Sequence, residues 1–341
     1  MDRAGPGTAP GNSRTLPTAC KDGVLQGEGI VNDKGPMSAF MIACKALKES
    51  GVELRGDVIQ AMVPGEIGYE PVDEYKGHNY ISKETGARFA LQHGPLPDFC
   101  VVAEGTDFAM AWIECGKAFF KVSIISPHEP FYTPYIPPRT TLDQSPNPIV
   151  QAARLIERIE RYAKEYQARH TYRCPGGLCI PKVGINSIRG GQSYHIIQTP
   201  MVCNLYLDCR LNPHQDPLDI RQELEAILDE LGIQGRVEQF VYRRGFEAKG
   251  IDQLVDSVTK AHQQIMTSAP KEPAPEVASM WRDLNLYNEL GVPAMTYGPP
   301  RSMLKADKGG YTVEDLTRCA QIYALTAYDL CNKPRRSNPR S

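Results

Sequence analysis

The order of helix and strand patterns between residues 116 and 244 constrains the fold more than any other feature of the sequence. The strand pattern KAFFKVSII is followed by a helix from about Pro148 to Gln167, whose apolar residues recur at helical spacing. Two strand patterns, KVGINSIRGG and VCNLYLDCRL, precede a second helix, with Asp216 as its N-cap and Gly232 past its end, and a last strand, RVEQFVY. This β-α-β-β-α-β order predicts a ferredoxin-like domain, which is a four-stranded sheet with two helices on one face.

The segments on either side of this domain alternate between helix and strand patterns, which is typical of an α/β domain. A helix is predicted over Gly35–Ser50, with Met37, Phe40 and Met41 among its apolar positions, and it ends at Gly51. DVIQAMV and DFCVVAEG are predicted as strands of a largely buried sheet, and VEDLTRCAQIYALTAYDLCN as the last helix. We expect a disordered N-terminus (1–19), the first part of a larger domain (20–115), the inserted domain (116–244) and the second part of the larger domain (245–341).

Charge and hydropathy exclude several classes of protein. The 38 basic and 40 acidic residues are mixed along the chain, so no nucleic-acid-binding surface is predicted. No run of 18 apolar residues is present and the first 19 residues lack an apolar signal core, so we expect a soluble cytoplasmic protein that binds no membrane. The ten cysteines are scattered, which indicates reduced thiols. Cys174 and Cys179 are spaced for a disulfide or for half of a zinc site, and two ordinary loop thiols are the alternative.

Five segments carry a resemblance to a known family. They are GEGIVNDKGPMSAFMIACKALKESG, VPGEIG, PDFCVVAEG, LYLDCRLNP and NELGVPAMTYGPP, in this order. The sequence from about residue 20 to 330 resembles the aminoacylase, acetylornithine deacetylase and succinyl-diaminopimelate desuccinylase family of dizinc metallopeptidases. The resemblance implies an α/β/α catalytic domain of the zinc-hydrolase type, with the ferredoxin-like insertion as its lid and dimerisation domain. It also implies cleavage of amide bonds with two zinc ions.

The sequence departs from this family at the positions of the metal ligands. Asn32 stands where the resemblance places the bridging aspartate, and no histidine precedes it. Gly65 stands at the position of the general base, whereas Glu66 and Glu104 keep two ligand positions. Lys305 stands where the resemblance places the last histidine ligand. The resemblance therefore implies a degenerate metal site.

The chemistry of these residues argues against a dizinc centre. An amide offers one neutral acceptor, whereas a bridging carboxylate offers two anionic oxygens. Glu66, Glu104 and Asp33 supply too few ligands and no nitrogen for tetrahedral zinc, so no cofactor is expected. A single zinc on Glu66 and Glu104 is the open alternative. Lys305 offers a cation in the same region, as an electrophile, proton donor, base or nucleophile, or else it is a surface lysine.

Four further residues are candidates for substrate binding. The resemblance implies that Arg210 grips a substrate carboxylate, and the alternative is an arginine on a solvated sheet face. His195 lies near the position of a lid residue that reaches the neighbouring subunit in the family, although a surface histidine fits equally well. Asn32 and Arg301 are expected near the pocket, where Arg301 lies in a turn-forming YGPPRSM segment.

Three functions remain open on the sequence. The first is a metal-independent enzyme, biosynthetic in character, that acts on a small amino-acid-derived carboxylate by cyclisation, condensation or elimination, with catalytic Lys305, Glu66, Glu104 and Asp33. The second is a residual amidohydrolase that uses one metal, and the third is a non-catalytic binding or partner subunit. In each case the resemblance implies a homodimer through the lid, whose interface contains an outer strand, KAFFKVSII or its neighbour, and the helix from Pro148.

Overall fold

The computed structural model describes residues 19–27, 29–65, 70–75, 83–300 and 310–334. The chain divides into two compact units. The outer unit consists of the chain up to Trp112, Glu247–Val277 and the chain from Arg282 onward. The inserted unit consists of Ile113–Phe246 and Ala278–Trp281. Among the described helices, none is both long enough and apolar enough to cross a bilayer.

The helices and strands are numbered in chain order. The helices are α1 (Gly35–Ser50), α2 (Thr85–His93), α3 (Pro148–His170), α4 (Pro217–Glu230), α5 (Asp252–Met266), α6 (Pro275–Ala278), α7 (Leu284–Glu289) and α8 (Val313–Cys331). The strands are β1 (Ala19–Lys21), β2 (Val24–Gln26), β3 (Cys100–Ala103), β4 (Ile113–Glu114), β5 (Gly116–Ile125), β6 (Tyr172–Cys174), β7 (Gly177–Cys179), β8 (Val183–Gly190), β9 (Val202–Leu211), β10 (Gly235–Arg243), β11 (Phe246–Glu247), β12 (Ala294–Tyr297) and β13 (Gly310–Thr312).

The inserted unit has the predicted ferredoxin-like arrangement, so the fold class is confirmed. Its antiparallel sheet has the strand order β10-β5-β9-β8, and α3 and α4 cover one face. Side chains alternate along β9, because successive residues of a strand point to opposite faces. Those that pack against the helices are Cys203, Leu205, Leu207, Cys209 and Leu211.

Of the two alternatives for the outer strand of this sheet, KAFFKVSII is wrong, whereas its neighbour β10 does lie at an edge. The KAFFKVSII segment lies in β5, which pairs with β10 on one side and with β9 on the other. It is therefore an interior strand, and the edges of the sheet are β8 and β10. The alternation of a strand shows which residues face the core but carries no information about its place in the sheet, which is set by long-range pairing.

The caps of both helices in this unit follow from local chemistry. The Asp216 side chain accepts a hydrogen bond from the Leu218 amide at 2.9 Å, as its position predicts. Asn147 does the same for α3 by accepting from the Ile149 amide at 2.9 Å. Helix α3 runs three residues beyond the predicted end at Gln167, to His170. Ile149 is 43% exposed, so it lies outside the buried face of α3 on which the sequence pattern placed it.

The outer unit is built around two parallel strands. Strand β12 pairs with β3 in parallel, and its four residues are buried, whereas those of β3 are half-buried. A second sheet has the order β1-β2-β13, and helices α1 and α5 both pack against α8. Helix α1 has the predicted bounds, but the small residues Ala39 and Ala43 form its buried face, while Met41 is 47% exposed.

The DVIQAMV segment, residues 57–63, does not form the predicted buried strand. It has no strand structure, none of its residues is buried, and Met62 is 49% exposed. A strand requires a neighbour to complete its ladder of hydrogen bonds, and no described strand pairs with this segment. Strand propensity is therefore not sufficient here.

Candidate functional site

The carboxyl ends of β3 and β12 meet in the outer unit, at the kind of position where α/β sheets bind ligands. Glu104 follows β3 and Gly298 follows β12. The two backbones approach so closely that a Cβ on Gly298 would lie 2.3 Å from the Glu104 carbonyl oxygen. Thr106 Oγ1 accepts from the Gly298 amide at 3.0 Å and donates to the Ala109 carbonyl at 2.6 Å. These contacts fix the two strand ends against each other.

Glu104 forms an ion pair with Arg282. The Arg282 Nε contacts Glu104 Oε2, and the two side chains are only 2% and 4% exposed, respectively. Arg282 Nη1 also donates to the Val277 carbonyl at 2.8 Å. A buried carboxylate requires a compensating charge, and here the guanidinium supplies it. Arg282 was not among the site residues predicted from the sequence. The feature that could have indicated it is a pair of charged residues, RD, inside the largely apolar segment ASMWRDLNLY.

Asn32 and Asp33 lie in a turn, Ile30–Lys34, that leads into α1, and both have non-helical backbone angles. With its amide nitrogen turned toward Asp33, Asn32 lies 2.7 and 3.0 Å from the two carboxylate oxygens. The hydroxyl of Tyr311 donates to the Val31 carbonyl at 2.9 Å and ties this turn to β13. The Asn32 amide thus has a carboxylate as its neighbour, an arrangement that suits a hydrogen-bond donor.

Three predicted site residues, Lys305, Glu66 and Arg301, lie outside the described residues. Among the described residues on either side of 301–309, Gly298 lies against Glu104, and Tyr311 lies against the turn that carries Asn32.

A series of buried, hydrogen-bonded side chains holds the end of β12 in place. The Tyr297 hydroxyl lies 2.7 Å from His262 Nδ1 on α5, and the Tyr323 hydroxyl donates to the Tyr297 carbonyl at 2.6 Å. Burial lowers the pKa of His262 and raises the pKa of Tyr297. Both groups are therefore neutral near pH 7 and hold the strand by hydrogen bonding rather than by charge.

Arg210 lies in the inserted unit, on the face of the sheet that the helices leave uncovered. Lys117 on β5 is directly opposite Arg210 on β9 and Arg243 on β10, so three cations form one row across the sheet. The Lys117 ammonium lies 4.8 Å from the centre of a Trp281 ring, and the Arg243 guanidinium lies 5.8 Å from it. Arg210 Nη2 donates to Asp208 at 2.8 Å. The row is suited to carboxylate binding.

His195 lies in the exposed loop between β8 and β9. Its Nε2 is 3.1 Å from the Gln198 Oε1, and no charged partner is found for it among the described residues. The structure groups Arg210 with Lys117 and Arg243 and places His195 in a separate loop. Lys117 and Arg243 were not predicted as site residues from the sequence, because only the pairing register of the strands places them in one row with Arg210.

A family model described as Peptidase family M20/M25/M40 matches residues 8–329. The chain belongs to this family. Two curated relatives are succinyl-diaminopimelate desuccinylases. The chain is 24% identical to the enzyme of Hahella chejuensis, over 73% of this chain and 59% of that relative. It is 33% identical to the enzyme of Gluconacetobacter diazotrophicus, over 30% of this chain and 24% of that relative. It therefore spans less than two thirds of either relative. Aminopeptidase PepT from Bacillus cereus has a similar fold, with a TM-score of 0.59 at 14% identity, over 92% of this chain and 76% of that one.

Members of the M20 family usually bind zinc, and the metal-binding side chains among the described residues decide whether zinc fits them. Within the described ranges, His, Cys, Asp and Glu side chains form no group of three that could hold a metal. Glu104 faces a guanidinium, and Asn32 presents its amide to Asp33. Zinc needs about four ligands, usually with nitrogen or sulfur among them. The described residues of the M20 site do not fit this metal.

Proposed function

We propose that this M20 chain is a metal-independent enzyme that acts on a small, amino-acid-derived compound bearing a carboxylate. The observation that carries the proposal is the row of cations formed by Arg210, Lys117 and Arg243. Like charges on directly opposite strand positions destabilise a sheet. The Asp208 carboxylate and the Trp281 ring offset part of this cost. The Arg210 side chain is 30% exposed, so it can also make a bidentate contact with the carboxylate of a ligand, which is a strong and directional way to bind one.

Proton transfer is proposed for Lys305, Glu66 and Asp33, which bring an ammonium and two carboxylates. Such transfers serve cyclisation, condensation or elimination, and the proposed reaction requires no dizinc centre. Glu104 is buried against Arg282 and anchors the end of β3. His195 and Arg301 remain candidates for contacts with the rest of the substrate.

Binding of matched ligands tests the proposal directly. N-acetyl amino acids and their methyl esters, which lack the carboxylate, are titrated into the protein by calorimetry in a buffer containing a chelator. We expect the acids to bind and the esters not to bind. Arg210→Gln is expected to weaken binding of the acids about 10-fold or more, which is the scale of a charged hydrogen bond.

A matched control is available on the other face of the same unit. Arg221 on α4 is also paired with a carboxylate, that of Glu225 at 2.9 Å, and it is about half exposed. Arg221→Gln is expected to bind the acids as tightly as the wild type does. Equal affinity for acids and esters, or unchanged binding by Arg210→Gln, would refute the proposed role of the cation row.

A further inference from the structure

Arg282 is the largest fully buried side chain in the described part of the protein, and the charge it faces is also buried. The Glu104 side chain is 4% exposed and that of Arg282 is 2% exposed, so neither charge is well hydrated. Removing one member of such a pair leaves the other charged and uncompensated, which is strongly unfavourable. The pair therefore holds together as a unit, and Arg282 is a fixed part of the surroundings of Glu104.

The position of this pair also bears on whether a metal ion can bind at Glu104. Glu104 follows β3 directly, and it stands where the M20 resemblance places a metal ligand. A divalent cation would coordinate a carboxylate oxygen at about 2.0–2.2 Å. The guanidinium already contacts Glu104 Oε2, and a second cation within a few ångströms of it would be repelled. Glu104 Oε2 is therefore occupied, and the charge of Arg282 disfavours a divalent cation at the same carboxylate.

Local structure keeps the guanidinium in this place. Arg282 lies just before α7, and its carbonyl accepts from the Asn285 amide at 3.1 Å. Its Nη1 donates to the Val277 carbonyl at 2.8 Å, and this hydrogen bond orients the planar guanidinium group. The sequence analysis considered Lys305 as the cation that replaces the metal's charge. Arg282 fills that role at Glu104 and is held by backbone contacts on two sides.

We infer that Arg282 is a resident cation that supplies, at Glu104, the positive charge that a metal ion supplies in a metal-dependent M20 site. The Glu104 carboxylate is thereby committed to the guanidinium rather than to a divalent cation. This inference rests on the proposed metal-independent function. Its test follows zinc and protein stability, whereas the test of the proposed function follows carboxylate binding in the presence of a chelator.

The experiment compares wild type, Arg282→Ala, Glu104→Gln and the double variant by thermal unfolding, with and without zinc chloride. We expect each single variant to lose about 10 °C in Tm, the scale of an unpaired buried charge in a chain of this size. The double variant should lose clearly less than the sum. Zinc should change the Tm of none of these four proteins, because the described residues of the site do not supply the ligands that zinc needs.

Arg158→Ala is the matched control, because it breaks an arginine–carboxylate pair with Glu230 at 3.0 Å that is partly exposed. It should lower Tm by no more than about 3 °C, and zinc should not restore it. If Arg282→Ala does not fold, zinc titration of wild type and Glu104→Gln still decides the matter. Stoichiometric zinc in the wild type that is lost in Glu104→Gln overturns the inference, as does simple additivity of the two Tm losses. A failure of carboxylate binding would overturn the proposed function and leave the coupling of this pair standing.

Discussion

Lys117 and Arg210 occupy directly opposite positions on β5 and β9, so two positive side chains share one face of the same sheet. Lys117 is 2% exposed and its ammonium lies over the Trp281 ring, whereas Arg210 pairs with Asp208. The aromatic ring and the carboxylate each offset part of the repulsion. Arg210 is partly exposed and can contact an anionic ligand directly, whereas Lys117 can act on that ligand only through its charge.

The first prediction separates binding from folding at this row. Lys117→Met keeps the length and apolar stem of the side chain and removes its charge. We expect affinity for N-acetyl amino acids to fall by about 10-fold, because a cation next to Arg210 is lost. The Tm is measured beside the affinity, because Lys117 is 2% exposed and loss of a buried charge also lowers stability. Calorimetry and thermal unfolding on the same sample measure both effects, and unchanged affinity would remove Lys117 from the site.

The second prediction concerns the backbone beneath Arg210. The buried Tyr166 hydroxyl donates to the Arg210 carbonyl at 2.8 Å and accepts from Gln215 Nε2 at 3.0 Å. Tyr166→Phe leaves both groups without this partner, so we expect a loss of about 1–3 kcal/mol in the free energy of unfolding. Tyr135→Phe is the control, because Tyr135 is 76% exposed and should change stability by less than about 0.5 kcal/mol. Equal effects in denaturant titrations of the two variants would contradict this prediction.

The third prediction is a pH dependence in the outer unit. Asp329 on α8 accepts hydrogen bonds from Lys260 at 2.7 Å, Lys333 at 2.9 Å and Ser257 at 2.8 Å. Burial alone would raise the pKa of Asp329, but hydrogen bonds from these partners lower it well below its ordinary value of 3.8. A lowered folded-state pKa stabilises the protein above the unfolded pKa, and this contribution is lost as the pH falls below it.

Asp329→Asn should therefore cost about 1–2 kcal/mol in unfolding free energy at neutral pH, since Lys260 is largely exposed. The difference from wild type should shrink as the pH falls below about 4. The control is Asp256→Asn, an exposed aspartate on α5 whose replacement should not change the pH profile. Denaturant midpoints measured from neutral to acidic pH provide the test, and a constant difference at all pH values would exclude this role.

The fourth prediction concerns assembly through the inserted unit. Strand β8 is an edge of the sheet, and Ile188 on it is 52% exposed, so an unprotected edge favours pairing with a second copy. We expect a homodimer in which a second copy of the chain covers β8 and the adjacent part of α3. Ile188→Lys should yield monomers by sedimentation, whereas Tyr242→Lys on the opposite edge strand, β10, should not. A wild-type monomer at micromolar concentration would disprove the predicted dimer.

Local chemistry allowed several elements to be predicted from sequence. Helix α4 begins at Pro217, which fits its first turn, because the carboxylate of the N-cap residue Asp216 satisfies an amide that the helix leaves unpaired. Strand β9 has the bounds of the VCNLYLDCRL pattern, because alternation identifies a strand with one buried face. The order of such elements was enough for the ferredoxin-like fold, and the quoted motifs were enough for the M20 family.

Tertiary structure decided the features that depend on distant partners. The DVIQAMV segment has strand composition but no described ladder partner, and β5 became an interior strand because it pairs on both sides. Glu104 was recognised from its motif, yet its partner Arg282 lies 178 residues later in the sequence, and only burial of both charges makes them a pair. Lys117 likewise joins Arg210 only through strand register. Sequence patterns report the preferences of neighbouring residues, whereas the charge balance of a buried site is set by residues that folding brings together from far apart in the chain.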